Sequence, residues 1–288
     1  MKSPKVVCVI LNWNGWRDTL LALKAFRQLD FQDCCPIVVD NGSTDDSIEQ
    51  ISSIFPTLPI VRTGRNLGFG GGVNAGIRWA MARGAEYIWL LNNDAEPEHQ
   101  ALAALVEKAA ADPCLGAVGS VLLHSKGGAV QAWGGGRINL LLGTSIRALA
   151  ERNDEWFDYI TGASILFRAA ALRQVGIFDE EFFMYWEDAD LCVRLTKMGW
   201  RLGVAANSVV IHREHGSTGG NSRRIDRFST ASGILFLKKH AYIPWASVIL
   251  FLCCRAGKRL LTGKFREIND IVQGARDYVL QRRTRQES

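Results

Sequence analysis

The sequence predicts an α/β fold, with a mostly parallel sheet flanked by helices and followed by a C-terminal helical extension. Short apolar runs rich in β-branched residues alternate with helical patterns through the first half of the chain, beginning at Val6. This alternation is typical of parallel strands joined by helical crossovers. Polar residues follow the ends of these runs, and a helical pattern resumes from about Arg224.

The first half of the chain divides into elements of ordinary length. Strands are predicted at Val6–Leu11, Pro36–Val39, Ile60–Arg62 and Glu86–Leu91. The first helix is predicted at Trp16–Leu29, the second from Ser43 to about Ile54, the third from after Gly72 to about Arg83, and the fourth at His99–Ala111. Ser43 and Asp46 have the spacing of a capping box, which would begin the second helix. Asn66 to Gly72 is predicted to be a glycine-rich loop before the third helix.

The second half is less regular but contains the same kinds of element. We expect strands at Ala117–Leu123, Ile165–Phe167 and Leu202–Ile211, a helix at Asp188–Met198 closed by Gly199, and a loop or hairpin excursion from Gly134 to about Asp154. The excursion is placed where it could line an acceptor cleft. We divide the chain into a main domain at 1–223 and a helical, basic segment at 224–288.

Composition indicates a globular protein with a mild positive charge. The 288 residues carry a formal charge of +5, and nine Lys and Arg face three Asp and Glu between Arg255 and Arg285. This balance permits an anionic partner such as a nucleotide diphosphate or an acidic membrane surface; we expect no nucleic-acid partner. The seven cysteines form no CxxC pair and the N-terminus lacks a signal-peptide layout, which favours a cytoplasmic location.

Polar residues lie where four predicted strands end: Asn12, Asp40, Asn66 and Asp94. Because parallel strands share one carboxyl edge, ligands bind beyond these ends. Asp94 could hold a divalent metal that offsets the charge of a leaving diphosphate, and Asp40 could accept a hydrogen bond from a nucleobase. Turn chemistry explains the same residues: an Asx turn before a helix begun by Pro97, and a turn at Gly42.

The segment Trp186-Glu187-Asp188-Ala189-Asp190 places three carboxylates within four residues at a helix start, directly after an aromatic run. Acidic residues complement the dipole of a helix N-terminus, which accounts for one or two of them. Aromatic walls beside a carboxylate suit sugar stacking and a base whose pKa can be tuned. We therefore favour a catalytic role for this segment.

His212 ends a predicted strand and begins a polar stretch that includes His215 and continues to Thr218. Two histidines in such a stretch favour a metal or phosphate role, although a lone histidine is more often structural. The glycines from Gly68 to Gly72 match a dinucleotide fingerprint only weakly, because Val73 stands where its last glycine is required. A dehydrogenase is accordingly the least favoured class.

Together, motifs along the chain resemble those of family 2 glycosyltransferases, in particular the bacterial rhamnosyltransferase-like branch. In family order they are Asn12-Trp13-Asn14, Val39 to Asp45, Arg65 to Phe69 with Asn74 and Gly76, Leu91 to Asp94, Thr161-Gly162-Ala163, Gly176 to Glu180, Trp186-Glu187-Asp188, and His212 to Thr218. The resemblance covers roughly residues 5–220. It implies a GT-A-type, Rossmann-like fold and inverting transfer from a nucleoside-diphosphate sugar with Mg²⁺ or Mn²⁺.

The resemblance also implies roles for individual residues. Asp188 would be the general base, and Asp94 the metal ligand with His212 as a second. The nucleotide sugar would be bound by Asn12, Asp40, Asn66 and Asn92, with Asp40 on the base and Asn92 near the ribose; the acceptor would be placed by Trp186, Glu187 and Gly162. Asn92 departs from the first acid of the family's Asp-x-Asp motif, which puts the identity of the metal in question more than the reaction.

Ile243 to Cys254 is an apolar run of about 12 residues, whereas a spanning helix needs about 20. The basic stretch that follows favours an amphipathic helix lying on the cytoplasmic face of the inner membrane. A core helix or a homodimer-forming helix with a solvated basic face is the alternative. A lipid-linked acceptor would make the membrane location useful.

The expected function is therefore transfer of a sugar, with rhamnose from dTDP-rhamnose as the leading donor, to a glycan or lipid-linked acceptor in cell-surface polysaccharide synthesis. A nucleotidyltransferase could share the strand-end acids, but the chain lacks an early glycine-rich loop followed by Arg and Lys. A non-catalytic scaffold that binds sugar nucleotides is the third hypothesis.

Overall fold

A computed structural model describes residues 6–213 and 222–286, with side chains given throughout except at 222, 223, 266 and 281–286. The strands are β1 (Val6–Asn12), β2 (Cys34–Asp40), β3 (Ile60–Arg62), β4 (Tyr87–Asn92), β5 (Ala95–Pro97), β6 (Leu115–His124), β7 (Val130–Trp133), β8 (Gly135–Asn139), β9 (Thr144–Arg147), β10 (Tyr159–Ile160), β11 (Ser164–Arg168) and β12 (Arg201–His212). The α-helices are α1 (Trp16–Phe26), α2 (Ser47–Ile54), α3 (Gly68–Ala82), α4 (Ala101–Ala111), α5 (Ala169–Val175), α6 (Glu187–Lys197), α7 (Ser222–His240), α8 (Pro244–Leu261) and α9 (Phe265–Gln286).

The main sheet has the order β3-β2-β1-β4-β11-β6-β12-β5, with β7 paired to β6. Strands β1 to β4, β6 and β12 run in one direction, whereas β5, β7 and β11 run in the other. A second sheet, β10-β8-β9, contains the hairpin predicted after Gly134. The predicted α/β class with a mostly parallel sheet is confirmed.

The direction in which strands are added reverses beside β1, since β2 and β3 lie on one side of it and β4 on the other. Such a reversal opens a crevice beyond the carboxyl ends of the strands. Asn12 lies opposite Asp40 in the β1–β2 pair, and Leu11 lies opposite Asn92 in the β1–β4 pair. The strand-end residues predicted from the sequence therefore meet at one edge.

Alternate side chains of β1 enter two different cores, as the period of a buried strand requires. Val7 and Val9 pack on the face covered by α3, α5 and α6, whereas Val6, Cys8 and Ile10 pack on the face covered by α1, α2 and α4. Because both faces are buried, the strand is apolar at every position up to Leu11. This two-sided burial produces the apolar runs seen in the sequence.

The predicted glycine-rich loop is wrong, because α3 begins at Gly68 and contains the following glycines. A Cβ atom at Gly72 would lie 2.5 Å from Cδ1 of Leu11, and one at Gly76 would lie 2.4 Å from Cγ1 of Val9. The glycines thus let α3 pack closely on β1, and this contact offsets their low helix propensity.

The predicted capping box is also wrong. Helix α2 begins at Ser47, and Ser43 instead accepts hydrogen bonds from the Asn12 side chain (3.1 Å) and the Asn14 amide (3.0 Å). Pro97 does not begin a helix either. It ends the edge strand β5, opposite Val210 of β12, where its missing N–H is tolerated.

The C-terminal helices pack on the main domain. Phe236 of α7 and Phe251 of α8 belong to the same buried cluster as α3 and α6. The carboxylate of Asp226 on α7 accepts hydrogen bonds from Arg255 (2.6 Å) and Arg259 (2.7 Å) of α8. The helical extension predicted from about Arg224 is thus observed, and the domain boundary at 223/224 stays a prediction.

Candidate active site

Asp40 lies at the carboxyl end of β2, almost fully buried. Its Oδ1 accepts a hydrogen bond from Nδ2 of Asn12 at 3.2 Å, and its Oδ2 accepts one from the Ser43 amide at 3.1 Å. Asn12 is 0% exposed, and its Oδ1 accepts a third bond from Thr19 at 2.8 Å. With both polar side-chain atoms engaged, Asn12 orients Asp40, and the nucleotide contact assigned to Asn12 stays a prediction.

Asn66 begins the turn that leads into α3. Its Oδ1 accepts hydrogen bonds from the Gly68 amide (2.9 Å) and from Nδ2 of Asn41 (3.2 Å). Gly68 has φ of +77°, and the Phe69 amide donates to the Phe183 carbonyl at 2.8 Å. This contact joins the first turn of α3 to the chain that enters the acidic segment.

Asp94 and His212 approach each other across the crevice. Oδ1 of Asp94 lies 3.2 Å from Nε2 of His212, and Nδ2 of Asn92 lies 3.5 Å from the same nitrogen. Nδ1 of His212 lies 2.7 Å from Oε1 of Gln131. Since an amide oxygen only accepts, Nδ1 donates to Gln131, and Nε2 is the ring nitrogen that faces Asp94.

This arrangement fits a divalent cation. A carboxylate and an imidazole turned towards each other, with the imidazole held from behind by Gln131, is a common arrangement of metal ligands. Among residues 6–213 and 222–286, no group of three or more such ligands occurs. A pair of side-chain ligands leaves positions on a divalent ion for oxygen atoms of a diphosphate or of water.

Asp188 lies in the first turn of α6. Its Oδ2 accepts a hydrogen bond from the Gly162 amide at 3.0 Å, and its Oδ1 accepts one from the Ala189 amide at 2.8 Å. Burial raises the pKa of this carboxyl, although the backbone hydrogen bonds oppose the effect. Gly162, predicted to contact the acceptor, lines the cavity and also holds the carboxylate in place.

Glu187 is 7% exposed, and its Oε2 has no hydrogen-bond partner in the described part of the chain. Burial, together with the negative charges of Asp188 and Asp190, raises its pKa well above the ordinary value of 4.5. Asp190 differs from it. Although burial raises the pKa of Asp190, hydrogen bonds from His240 and Arg194 outweigh that effect and lower it.

Tyr185 and Trp186 both have φ of +70°, a left-handed conformation that is unusual for bulky side chains. Trp186 packs on Phe236 of α7 with ring centroids 4.8 Å apart, and the Met184 carbonyl accepts a hydrogen bond from Ser232 at 2.8 Å. Strain of this kind persists only where the surroundings enforce it, and it is concentrated at functional sites. Here it aims α6 into the crevice.

One cavity of about 790 Å³ joins these groups. Of the residues predicted to act, Asn92, Asp94, Gly162, Trp186, Glu187, Asp188 and His212 line it. Asn12 and Asp40, at the ends of β1 and β2, and Asn66, before α3, do not line it. The second sheet contributes Thr144, Ser145 and Arg147 to the wall, in agreement with the predicted excursion beside an acceptor cleft.

Other residues of the site were not predicted, because no motif or spacing in the sequence connects them to it. Gln131 reaches His212 from β7, and Asp226, Arg255, Lys258 and Arg259 line the cavity from the C-terminal helices. The polar stretch after His212 is described only at Arg213, whose guanidinium pairs with Asp18 at 3.0 Å and with Glu96. Positions 214–218, including His215, lie outside the described residues.

Comparisons with known proteins identify the family and the fold of the chain. Residues 7–175 match the family model described as Glycosyl transferase family 2. The N-acetylglucosaminyl-diphospho-decaprenol L-rhamnosyltransferase of Mycobacterium tuberculosis is 30% identical over 208 residues, which cover 64% of this chain and 67% of the relative. Galactofuranosyltransferase GlfT1 of Mycolicibacterium smegmatis is 25% identical over 222 residues, which cover 74% and 72%.

Among solved structures, mannosyltransferase PcManGT from Pyrobaculum calidifontis, in complex with GDP-Man and Mn²⁺, has a TM-score of 0.62 to this chain. The two are 16% identical, and the match covers 97% of this chain and 88% of that one. This likeness shows the fold, which is of the GT-A type as the sequence motifs imply. Since the family model spans more than half of its length, the chain belongs to glycosyl transferase family 2.

Proposed function

We propose that this protein is an inverting glycosyltransferase that moves a sugar from a nucleoside-diphosphate donor to a hydroxyl of a glycan or lipid-linked acceptor in cell-surface polysaccharide synthesis. One observation carries the proposal: Asp188 and the Asp94–His212 pair face the same cavity. A base for the acceptor and a pair able to hold a cation beside the leaving diphosphate therefore share one space.

In the proposed mechanism, Asp188 takes the proton of the acceptor hydroxyl while its oxygen bonds to the anomeric carbon. The bond from that carbon to the diphosphate oxygen breaks on the opposite face, so the anomeric configuration inverts. The amides of Gly162 and Ala189 hold both carboxylate oxygens before the acceptor arrives. The raised pKa makes Asp188 a stronger base than an ordinary aspartate.

Mg²⁺ or Mn²⁺ is the proposed cofactor, and Asp94 and His212 would hold it. When bound, the ion would offset the negative charge of the diphosphate. The carboxylate and imidazole suit Mn²⁺, and with further oxygen ligands they suit Mg²⁺. The Mn²⁺ in the PcManGT complex supports a divalent ion in this fold.

For the donor nucleotide, Asp40 is proposed to accept a hydrogen bond from the base and Asn92 to lie near the ribose. Asn66, in the turn before α3, is proposed as a further contact of the nucleotide sugar. Asn12 would act through Asp40. dTDP-rhamnose is the leading candidate, supported by the rhamnosyltransferase activity in the name of the Mycobacterium tuberculosis relative. That name also supports a lipid-linked acceptor.

We further propose a cytoplasmic protein that lies on the inner membrane through α8. Trp245 (67% exposed), Ile249 (60%) and Leu261 (91%) are exposed on this helix, whose last turn is basic. None of the described helices combines the length and apolar character needed to cross a membrane. Flotation with anionic and neutral vesicles tests the proposal, and sedimentation tests a homodimer through the same face.

The function itself is tested by nucleoside diphosphate release over a panel of sugar nucleotides with Mg²⁺ or Mn²⁺, in the presence of prenyl-diphosphate-linked acceptors. We expect turnover with one donor, inversion seen by NMR of the product, and a loss of about 10²–10⁴-fold in Asp188→Asn. Nucleoside diphosphate binding should persist in that variant. Binding without turnover in the wild-type protein would favour the scaffold hypothesis.

A further inference from the structure

The wall of the cavity formed by α7 and α8 is positively charged. Arg255, Lys258 and Arg259 line it against a single carboxylate on that side, Asp226. Asp226 is shared, since Oδ1 accepts from Arg255 at 2.6 Å and Oδ2 accepts from Arg259 at 2.7 Å. Counting Glu267, which pairs with Arg259 from outside the cavity, three cations face two carboxylates, so this wall keeps a positive charge in a cavity that Asp188 also lines.

The three cations differ in how fully their charge is already paired. Lys258 is exposed on α8 and makes no ion pair with any residue that the structure describes. Arg255 is half-buried, and its Nε is shielded from solvent without a hydrogen-bond acceptor in the described ranges. Arg259, by contrast, is also held by Glu267, whose Oε2 lies 2.7 Å from its Nε. The unpaired ammonium of Lys258 suits an anion with several oxygens, and the charge of Arg255 lies beside it on the same wall.

The neighbouring face of α8 is apolar. Leu252 and Ala256 line a second, groove-shaped cavity of about 570 Å³ between α8 and α9, together with Ile268, Ile271, Val272 and Val279. Helix α8 therefore separates a charged cavity that leads to Asp188 from an apolar groove. A ligand with an anionic group between a sugar and a hydrocarbon chain would match both faces.

We propose that Lys258 and Arg255 bind the diphosphate of a prenyl-diphosphate-linked acceptor, with its sugar towards Asp188 and its hydrocarbon chain along the α8–α9 groove. The inference rests on the proposed function, because it assigns the acceptor to the same cavity. The diphosphate of the donor is expected elsewhere, at the strand ends beside Asp94 and His212, so the basic wall on α8 is left for the acceptor.

The test measures binding of farnesyl diphosphate, farnesol and inorganic pyrophosphate by calorimetry, with dTDP plus Mn²⁺ as the donor probe. We expect Lys258→Ala to weaken farnesyl diphosphate binding by about ten-fold or more, as loss of one charge-assisted contact does, and Lys258→Arg to retain it. Lys264→Ala is the matched control, because Lys264 lies just after α8, pairs with Glu267 at 3.6 Å and does not line the cavity. Binding of dTDP should be the same in all variants.

Three results would overturn the assignment: equal weakening by Lys258→Ala and Lys264→Ala, farnesol binding as tightly as farnesyl diphosphate, or loss of dTDP binding in Lys258→Ala. The last would place the donor on this wall. Pyrophosphate that binds as tightly as farnesyl diphosphate would overturn the part of the proposal that concerns the groove. None of these measurements requires turnover, so failure of every sugar donor would count against the proposed function and leave this assignment intact.

Discussion

At the scale of single residues, Gln131 determines how His212 faces Asp94. It is buried, does not line the cavity, and accepts the Nδ1 proton at 2.7 Å. We expect Gln131→Leu to weaken Mn²⁺ binding about 10–100-fold, because residues that orient a metal ligand have effects of this size. Electron paramagnetic resonance during a Mn²⁺ titration measures it. Gln50→Leu on α2 is the control, and unchanged affinity in Gln131→Leu would contradict the role.

Glu187 makes the stability of the protein depend on pH. Because its pKa is raised in the folded state, the native protein keeps a proton that the unfolded chain releases near pH 4.5. This contribution to the free energy of unfolding is full below that pH and is lost as pH rises through the native pKa. Glu187→Gln cannot lose this proton, so the Tm of the variant minus that of the wild type should increase between pH 4 and pH 8. For the control Glu98→Gln, at an exposed position, the difference in Tm from the wild type should stay constant over the same range. A constant difference in Tm for Glu187→Gln would refute the prediction.

At the scale of elements, the first turn of α3 depends on a contact that only glycine permits. A Cβ atom at Gly68 would lie 2.2 Å from the Phe183 carbonyl oxygen, whereas one at Gly64, which has the same φ of +77°, would meet nothing within 4 Å. We expect Gly64→Ala to cost about 1 kcal/mol from backbone conformation alone. Gly68→Ala should cost about 3 kcal/mol, since backbone must also move. Urea unfolding measures both, and equal costs would show that the contact is not rigid.

The elements of the main sheet and the helices beside it show which parts of the fold could be predicted from the sequence. Strands β1, β2 and β4 were predictable because burial on both faces leaves a local apolar run. Strand β5 was missed, since three residues that pair with a partner more than 100 positions away leave no periodic pattern. The glycines of α3 were assigned to a loop because their reason for being in a helix is contact with β1, which the local sequence does not record. Helix α5 was likewise not predicted.

In the candidate site too, residues that belong to local motifs were predictable and residues brought in by tertiary contacts were not. Asp94, Asp188 and His212 were predictable because each belongs to a short motif beside a strand or helix end. Gln131 and Lys258 enter the site through tertiary packing, and no spacing in the sequence connects them to it. The C-terminal apolar run was predicted as a membrane or dimer surface; that it also forms one wall of the cavity became visible only in the fold.

At the scale of the whole molecule, Phe251 connects the C-terminal helices to the rest of the protein. It is 1% exposed, and a Cβ atom at Gly143 or Gly233 would lie 2.7 or 2.5 Å from its ring. We expect Phe251→Ala to cost about 3–5 kcal/mol in a single unfolding transition followed by circular dichroism and tryptophan fluorescence. Phe265→Ala, with its side chain 64% exposed, should change stability by less than about 0.5 kcal/mol. Two separate transitions would instead support independent units at 1–223 and 224–288.

The cavity has walls from distant parts of the chain: Asp94, Asp188 and His212 precede position 213, whereas Lys258 and its neighbours follow position 222. Substitutions on one wall can therefore accumulate without touching the other. If α8 holds the acceptor as proposed, exchange of α7–α9 between relatives should change the acceptor and keep the donor. Such chimeras must transfer Gly143 together with Phe251, because the graft has to fit the loop on which it rests.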